Sequence, residues 1–223
     1  MIEKKLEKFS GILPIFPLPN IVLFPGMLIT LHIFEESYNE LIEFSLKNDR
    51  FIGVTLLKED EYEICKDKKI PGIHNILCLS EIIAKEKYNE NYNIALLGLK
   101  RARIKKIIQT IPYRMAEVSL IEDIIPLNHD QHEILKKFPN ILGQLKELGI
   151  SLEKIEKTNF LGVLSDLIVS SLDLTPDDKQ NILEEFNVEK RIEKISKTLE
   201  EIDRNLYFVK MSQKLKPKDI YSN

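Results

Sequence analysis

The chain has 223 residues, 43% hydrophobic and 30% charged, with a formal net charge of −3 and a pI near 5.9. A chain of this length can bury a sizeable core without disulfides or metal, and its acidic balance supplies no global field toward nucleic acid or anionic lipid. Its eight glycines form no G-x-G pair, precede no lysine and frame no G-x-S-x-G, which excludes the P-loop, the dinucleotide fingerprint, the kinase glycine loop and the hydrolase nucleophile elbow.

In chain order, the first informative segment is residues 11–34, which contain no Asp, Glu, Lys or Arg. Their number meets the length of a membrane span, but Pro14, Pro17, Pro19 and Pro25 fall inside, each costing about 3 kcal/mol in a helix interior. The amino terminus interleaves Lys4, Lys5 and Lys8 with Glu3 and Glu7, and the first alanine is Ala84, so no secretory cleavage pattern is present. The expectation is a soluble, cytoplasmic chain with no membrane association. Prolines 14, 17 and 19 hold the backbone extended, and Pro25-Gly26 signals a turn between two sheet segments. Strand patterns follow at 12–16, 21–24, 28–34, 51–57, 76–84, 93–99, 101–109 and 114–121. One helix interrupts them between Glu35 and Lys47, with Leu41, Ile42, Ser45 and Leu46 on one face. Short strands at this spacing suggest a small barrel or a strongly coiled sheet.

Near Pro126 the apolar period changes from 2 to 3.6. Asp130 with Glu133 reads as a capping box, Pro139 breaks or kinks the helix it opens, and Gly149 is placed as a C-terminal cap. Ser151 can cap the next helix, whose apolar face runs through Ile155, Leu161, Leu164, Leu167, Ile168 and Leu172. Thr175-Pro176-Asp177-Asp178 is the clearest helix start: a capping hydroxyl, proline at the first position, then two acids at the positive end of the dipole. The last helix carries Val188, Ile192, Ile195, Leu199, Ile202, Leu206 and Val209 as a narrow seam. That seam packs on the preceding helices or the β half, with oligomerisation through this helix as the alternative. The final residues, 214–223, read as a frayed tail.

Few residues suggest chemistry. Cys65 and Cys78 lack C-x-x-C spacing and read as reduced thiols. His129 and His132 are three apart but have no third ligand, so no metal site is assigned. His32 lies between Leu31 and Ile33 with no nucleophile near it in sequence. Arg101, Arg103 and Lys105 alternate along one strand face about 7 Å apart, a spacing that could meet phosphates. Phe34 and Tyr38, at a strand-to-helix junction, mark apolar surface that can bind an unfolded polypeptide.

The uncharged stretch, Leu13-Pro14-Ile15-Phe16-Pro17-Leu18-Pro19-Asn20-Ile21-Val22-Leu23-Phe24-Pro25-Gly26-Met27 followed by Leu31-His32-Ile33-Phe34-Glu35, resembles the opening of the N-terminal domain of the ATP-dependent Lon protease family. It is most similar to the stand-alone version of that domain. Phe51-Ile52-Gly53-Val54, Gly98-Leu99-Lys100-Arg101-Ala102-Arg103-Ile104, Tyr113-Arg114-Met115-Ala116-Glu117-Val118 and Leu174-Thr175-Pro176-Asp177-Asp178-Lys179-Gln180 continue the resemblance in order. It implies an α+β fold: an N-terminal PUA-like β pseudo-barrel lobe with one helix over residues 1–125, followed by a C-terminal helical bundle over residues 126–223. In the full protease this region recognises substrates, and the ATPase and proteolytic parts lie downstream. The expectation here is a non-catalytic recognition module with no catalytic residue, cofactor or metal. Its partners would be unfolded or hydrophobic polypeptide segments, with a separate protease or chaperone to receive them. The substrate-binding candidates are Phe16, Phe24, Pro25, His32, Phe34 and Tyr38. The alternative is a PUA-like RNA-binding module that uses Arg101, Arg103 and Lys105.

Overall fold

Residues 11–34 carry no charge because much of that stretch is buried from two sides. In the computed structural model, which describes residues 6–7, 9–65, 68–89, 91–125, 136–147, 149 and 161–214, strand β1 (Ile12–Leu18) has a core on each face. Leu13 and Ile15 enter one core with Phe51, Leu77, Leu79, Ala102, Ala116 and Val118, and Phe16 and Leu18 enter another with Ile52, Val54, Cys78, Ile82, Ile94 and Leu96. Successive side chains of a strand point to opposite faces, so a strand buried on both sides reads as a continuous apolar run.

The remaining strands are β2 (Leu28–Ile33), β3 (Phe51–Cys65), β4 (Lys68–Ile73), β5 (Ile76–Tyr88), β6 (Asn91–Gln109) and β7 (Arg114–Ile121). Their order is β1-β7-β6-β5-β3-β4, and a parallel pairing of β1 with β3, Ile15–Gly53 to Leu18–Leu56, closes a ring of five strands. β2 stands outside that ring and pairs antiparallel with the first half of β6. The parallel pair requires a crossover, which β2 and helix α1 (Glu36–Lys47) supply. α1 buries Leu41, Ile42 and Ser45 against the second core.

Three strand expectations are corrected. Residues 21–24 form no strand, because Leu23 and Phe24 turn into two different cores. Segments 93–99 and 101–109 are one continuous strand, β6, and β4 is an additional strand hairpinned on β3.

The second half contains α2 (Pro139–Glu147), α3 (Leu161–Ser171), α4 (Pro176–Leu183) and α5 (Val188–Lys214). Residue 136 is helical and residues 137–138 are not, so Pro139 stands at a break and opens α2, and Gly149, at φ +72°, donates its N–H to the Lys146 carbonyl (2.9 Å). The Thr175 hydroxyl caps α4 by accepting from the Asp178 N–H (3.1 Å). These helices share a core of Ile141, Leu145, Leu164, Ile168, Ile182, Val188, Ile192, Ile195 and Leu199, which also takes in Phe24 and Ile76 from the β half. The α5 seam is thus buried from Val188 to Leu199, whereas Leu206 and Tyr207 are exposed. The expectations at Pro126, His129, Asp130, His132, Glu133, Ser151, Ile155 and the tail beyond Lys214 lie outside the described residues, as do the side chains of Cys65 and Val209.

The two halves are joined by buried charge. Arg101 on β6 donates from both terminal nitrogens to the Asp166 carboxylate of α3 (2.8 and 2.6 Å) and from Nε to the Leu183 carbonyl (2.9 Å). Arg191 on α5 donates to both oxygens of Asp123 and, through Nε, to the Ser165 hydroxyl (2.8 Å). Arg101, Arg191 and Asp166 are each at most 3% exposed. Gln180 of α4 adds a bond from its side-chain amide to the Ile76 carbonyl (2.9 Å).

Candidate functional site

Where β1 runs out of its ladder with β7, the ring leaves an apolar groove. Its walls are Phe16 to Pro19 on one side and Leu31 to Phe34 on the other, with Glu35, Tyr38 and Leu57 completing a cavity of about 330 Å3. Pro17 and Pro19 fix the first wall: each lacks an N–H and holds φ near the extended range, so the wall stays rigid and cannot ladder across the gap.

Ring packing orients the lining. Phe16 is buried and meets Tyr38 edge to face, with centroids 4.7 Å apart. Burial pushes the Tyr38 phenol above its ordinary pKa, Glu35 adds to the rise and Arg114 opposes it, so Tyr38 presents a neutral hydroxyl. His32 donates from Nδ1 to Asn93 Oδ1 (2.7 Å), which fixes its ring for stacking on Phe34 (centroids 6.3 Å apart, planes 27° apart). Phe34 itself is 68% exposed. A phenylalanine that open to water at the rim of an apolar groove is a surface waiting for cover.

The groove continues. A second cavity of about 270 Å3 shares Pro17, Tyr38 and Leu57 with the first and adds Pro71, Pro112, Tyr113 and Arg114. The Arg114 guanidinium, buried beneath it, donates to the Pro71 carbonyl and ties β7 to the β4 hairpin. Beyond Pro19, a third cavity of about 560 Å3 lies between residues 20–23, Met27 to Ile29 and, from the helical half, Ser170, Leu174, Pro176 and Lys179.

Of the six residues expected to bind polypeptide, Phe16, His32, Phe34 and Tyr38 line one groove. Phe24 does not: it is 1% exposed and packs with the helical core, because the Gly98 backbone and the turn at Gly26 aim its ring toward α2 and α3. Pro25 sits in that turn, half-buried and away from the groove. Pro17, Leu18, Pro19, Leu31, Ile33, Glu35 and Leu57 complete the lining and are not among the sequence candidates for binding. The alternation of Pro17 and Pro19 was their only local signal.

The basic strand face is also corrected. Ala102 points into the barrel core, so Arg101 and Arg103 do share the opposite face. The helical half covers part of that face, however, and Arg101 is consumed by Asp166. Arg103 lies over the Phe186 ring (5.6 Å), and Lys105 sits where the ladder with β7 is bulged between Ile104 and Lys106. The evenly spaced cationic row is absent. Cys78 is fully buried, and burial pushes its thiol up to about 12, which keeps it an unreactive packing group. Among the described residues no group of three His, Cys, Asp or Glu is placed to hold a metal, and no helix is long and apolar enough to cross a membrane.

The family model of the ATP-dependent protease La (LON) substrate-binding domain matches residues 12–201. The chain belongs to the Lon substrate-binding domain family. Lon protease 2 of Myxococcus xanthus is 28% identical over 216 residues, covering 94% of this chain and 25% of that protein. The Lon protease of Aquifex aeolicus is 27% identical over 200 residues, with 84% and 24% covered. The chain thus spans about a quarter of the length of the curated relatives it matches. Among solved structures, a Lon N-terminal domain protein from Xanthomonas campestris superposes with a TM-score of 0.59 at 20% identity, covering 82% of this chain and 96% of that one. The N-terminal domain of the Lon protease of the Mycobacterium avium complex gives 0.63 at 14% identity, covering 84% and 97%. These two likenesses establish a Lon N-domain fold, mixed α and β with a largely antiparallel sheet.

Proposed function

We propose that this Lon-type substrate-binding domain is a non-catalytic recognition module that holds exposed apolar segments of unfolded polypeptides in the groove between β1 and β2, for delivery to a protease or chaperone in the cytoplasm. In this reading the ring of strands is the PUA-like lobe and the helices from α2 onward are a bundle that buttresses it. The observation that carries the proposal is the exposed Phe34 ring on a proline-walled apolar groove, in a family defined by substrate binding.

Fluorescence anisotropy with one globular protein in two forms, native and reduced-and-alkylated, tests this. The unfolded form is expected to bind and the native form not. Phe34→Asp is expected to weaken binding at least tenfold, since covering a phenylalanine ring contributes about 2–3 kcal/mol. Its unfolding midpoint should not move, because the ring is exposed. Equal binding of both forms, or an affinity unchanged by Phe34→Asp, overturns the proposal.

A further inference from the structure

Among the described residues, strand β2 is hydrogen-bonded on one side only. It pairs with β6 without interruption from Leu28–Leu97 to Ile33–Tyr92, and the Met27 carbonyl accepts from the Gly98 N–H (2.8 Å) at the end of the same ladder. Bonded and non-bonded pairs alternate along an antiparallel ladder. Leu28, Thr30 and His32 therefore turn their N–H and C=O groups to the far side, where no described backbone group meets them. Across that edge lie residues 16–23, separated from it by the first and third cavities. Open edges are usually blunted by proline, lysine or a bulge. The β2 sequence, LITLHI, has none of these.

Charge completes the picture at one end. Glu35 lines the groove, Glu36 and Glu40 follow it on α1, and all three are exposed. None forms an ion pair with a described cation. Among the described residues that line it, the groove has no lysine or arginine.

We propose that the occupant is an extended polypeptide segment that adds to the open edge of β2 as a further strand, with alternate apolar side chains in the groove and a lysine or arginine against Glu35, Glu36 and Glu40. This rests on the groove being the recognition site proposed above. Main-chain bonds then give affinity that tolerates many sequences, which suits a receptor for unfolded chains. The acidic end fixes which end of the segment lies beside α1.

The experiment uses a short labelled peptide alternating phenylalanine and serine with two lysines at one end, titrated with the full chain. Backbone N-methylation at one alternating set of positions is expected to weaken binding at least tenfold, and at the other set to leave it within about twofold, because only one set faces the strand. Replacing the lysines by glutamate is expected to weaken binding several-fold, and Glu35→Lys with Glu36→Lys to reverse that preference. If Phe34→Asp abolishes binding while both N-methylated sets and the charge-reversed peptide bind like the parent, strand addition is wrong and the groove reading stands. If the parent peptide does not bind, or binds without regard to Phe34, both fall.

Discussion

Asp166→Ala is expected to lower the unfolding free energy by about 3–5 kcal/mol, a large part of the total for a domain of this size. Burial opposes the charged form of both Arg101 and Asp166, and their mutual pairing offsets that cost. Without the carboxylate, Arg101 keeps the Leu183 carbonyl and a more distant Asp123 (3.7 Å), while Arg191 loses a neighbour at 3.6 Å. A guanidinium left buried without its bidentate partner is the costly outcome, more than the loss of one attractive pair. The double change Arg101→Met with Asp166→Leu should therefore recover most of the stability lost in the single variant. Urea denaturation of both variants checks this. A loss below about 1 kcal/mol for Asp166→Ala would show that the network does not join β6 to α3 energetically.

Gly98→Ala is expected to cost about 3 kcal/mol or more. A Cβ at this position would stand 2.2 Å from the Phe24 carbonyl oxygen and 3.0 Å from Cys78 Sγ. The neighbour is backbone, and it is held in place: Gly26 donates to the Gly98 carbonyl (2.9 Å) and Gly98 donates to that of Met27 (2.8 Å). Gly26, at φ +79°, makes the turn that lets residues 24–27 lie this close. Displacing the segment would drag Phe24 out of the helical core and shift the start of β2, so the groove should lose its shape along with the fold's stability. Thermal unfolding and binding of unfolded polypeptide, measured on the same variant, should fall together. A Gly98→Ala protein with the parent's midpoint would contradict the close approach.

What the sequence reveals and conceals follows from the range of the interactions. The extended segment at 12–16, the turn at Pro25-Gly26, the strand that follows it and the Thr175 cap are local patterns, and each appears in the structure where the pattern places it. The burial of Arg101 is not local, because its partner lies 65 residues away and alternation specifies a face without saying what covers it. Residues 21–24 look like a strand because four apolar residues in a row satisfy either a buried strand or a segment dividing its side chains between two cores. Lys100 and the glycine before β6's second half suggest a turn, yet Gly98 marks the docking of another segment in mid-strand. β4 was missed because Lys68-Lys69-Ile70-Pro71-Gly72 carries loop composition, and its pairing with β3 is bulged. At the groove, Phe34 and Tyr38 were visible as a strand-to-helix junction. The opposite wall depends on the path of β1 after it leaves β7, which only the topology defines.

The central claim is that unfolded polypeptide binds beside Phe34. A photo-crosslinking amino acid placed at Phe34, and in a second protein at Arg103, tests it in the presence of an unfolded protein and a mixed RNA. The account predicts adducts with the unfolded protein from position 34 and none from position 103. Protein adducts from position 103 alone, or RNA adducts from either position, would contradict it.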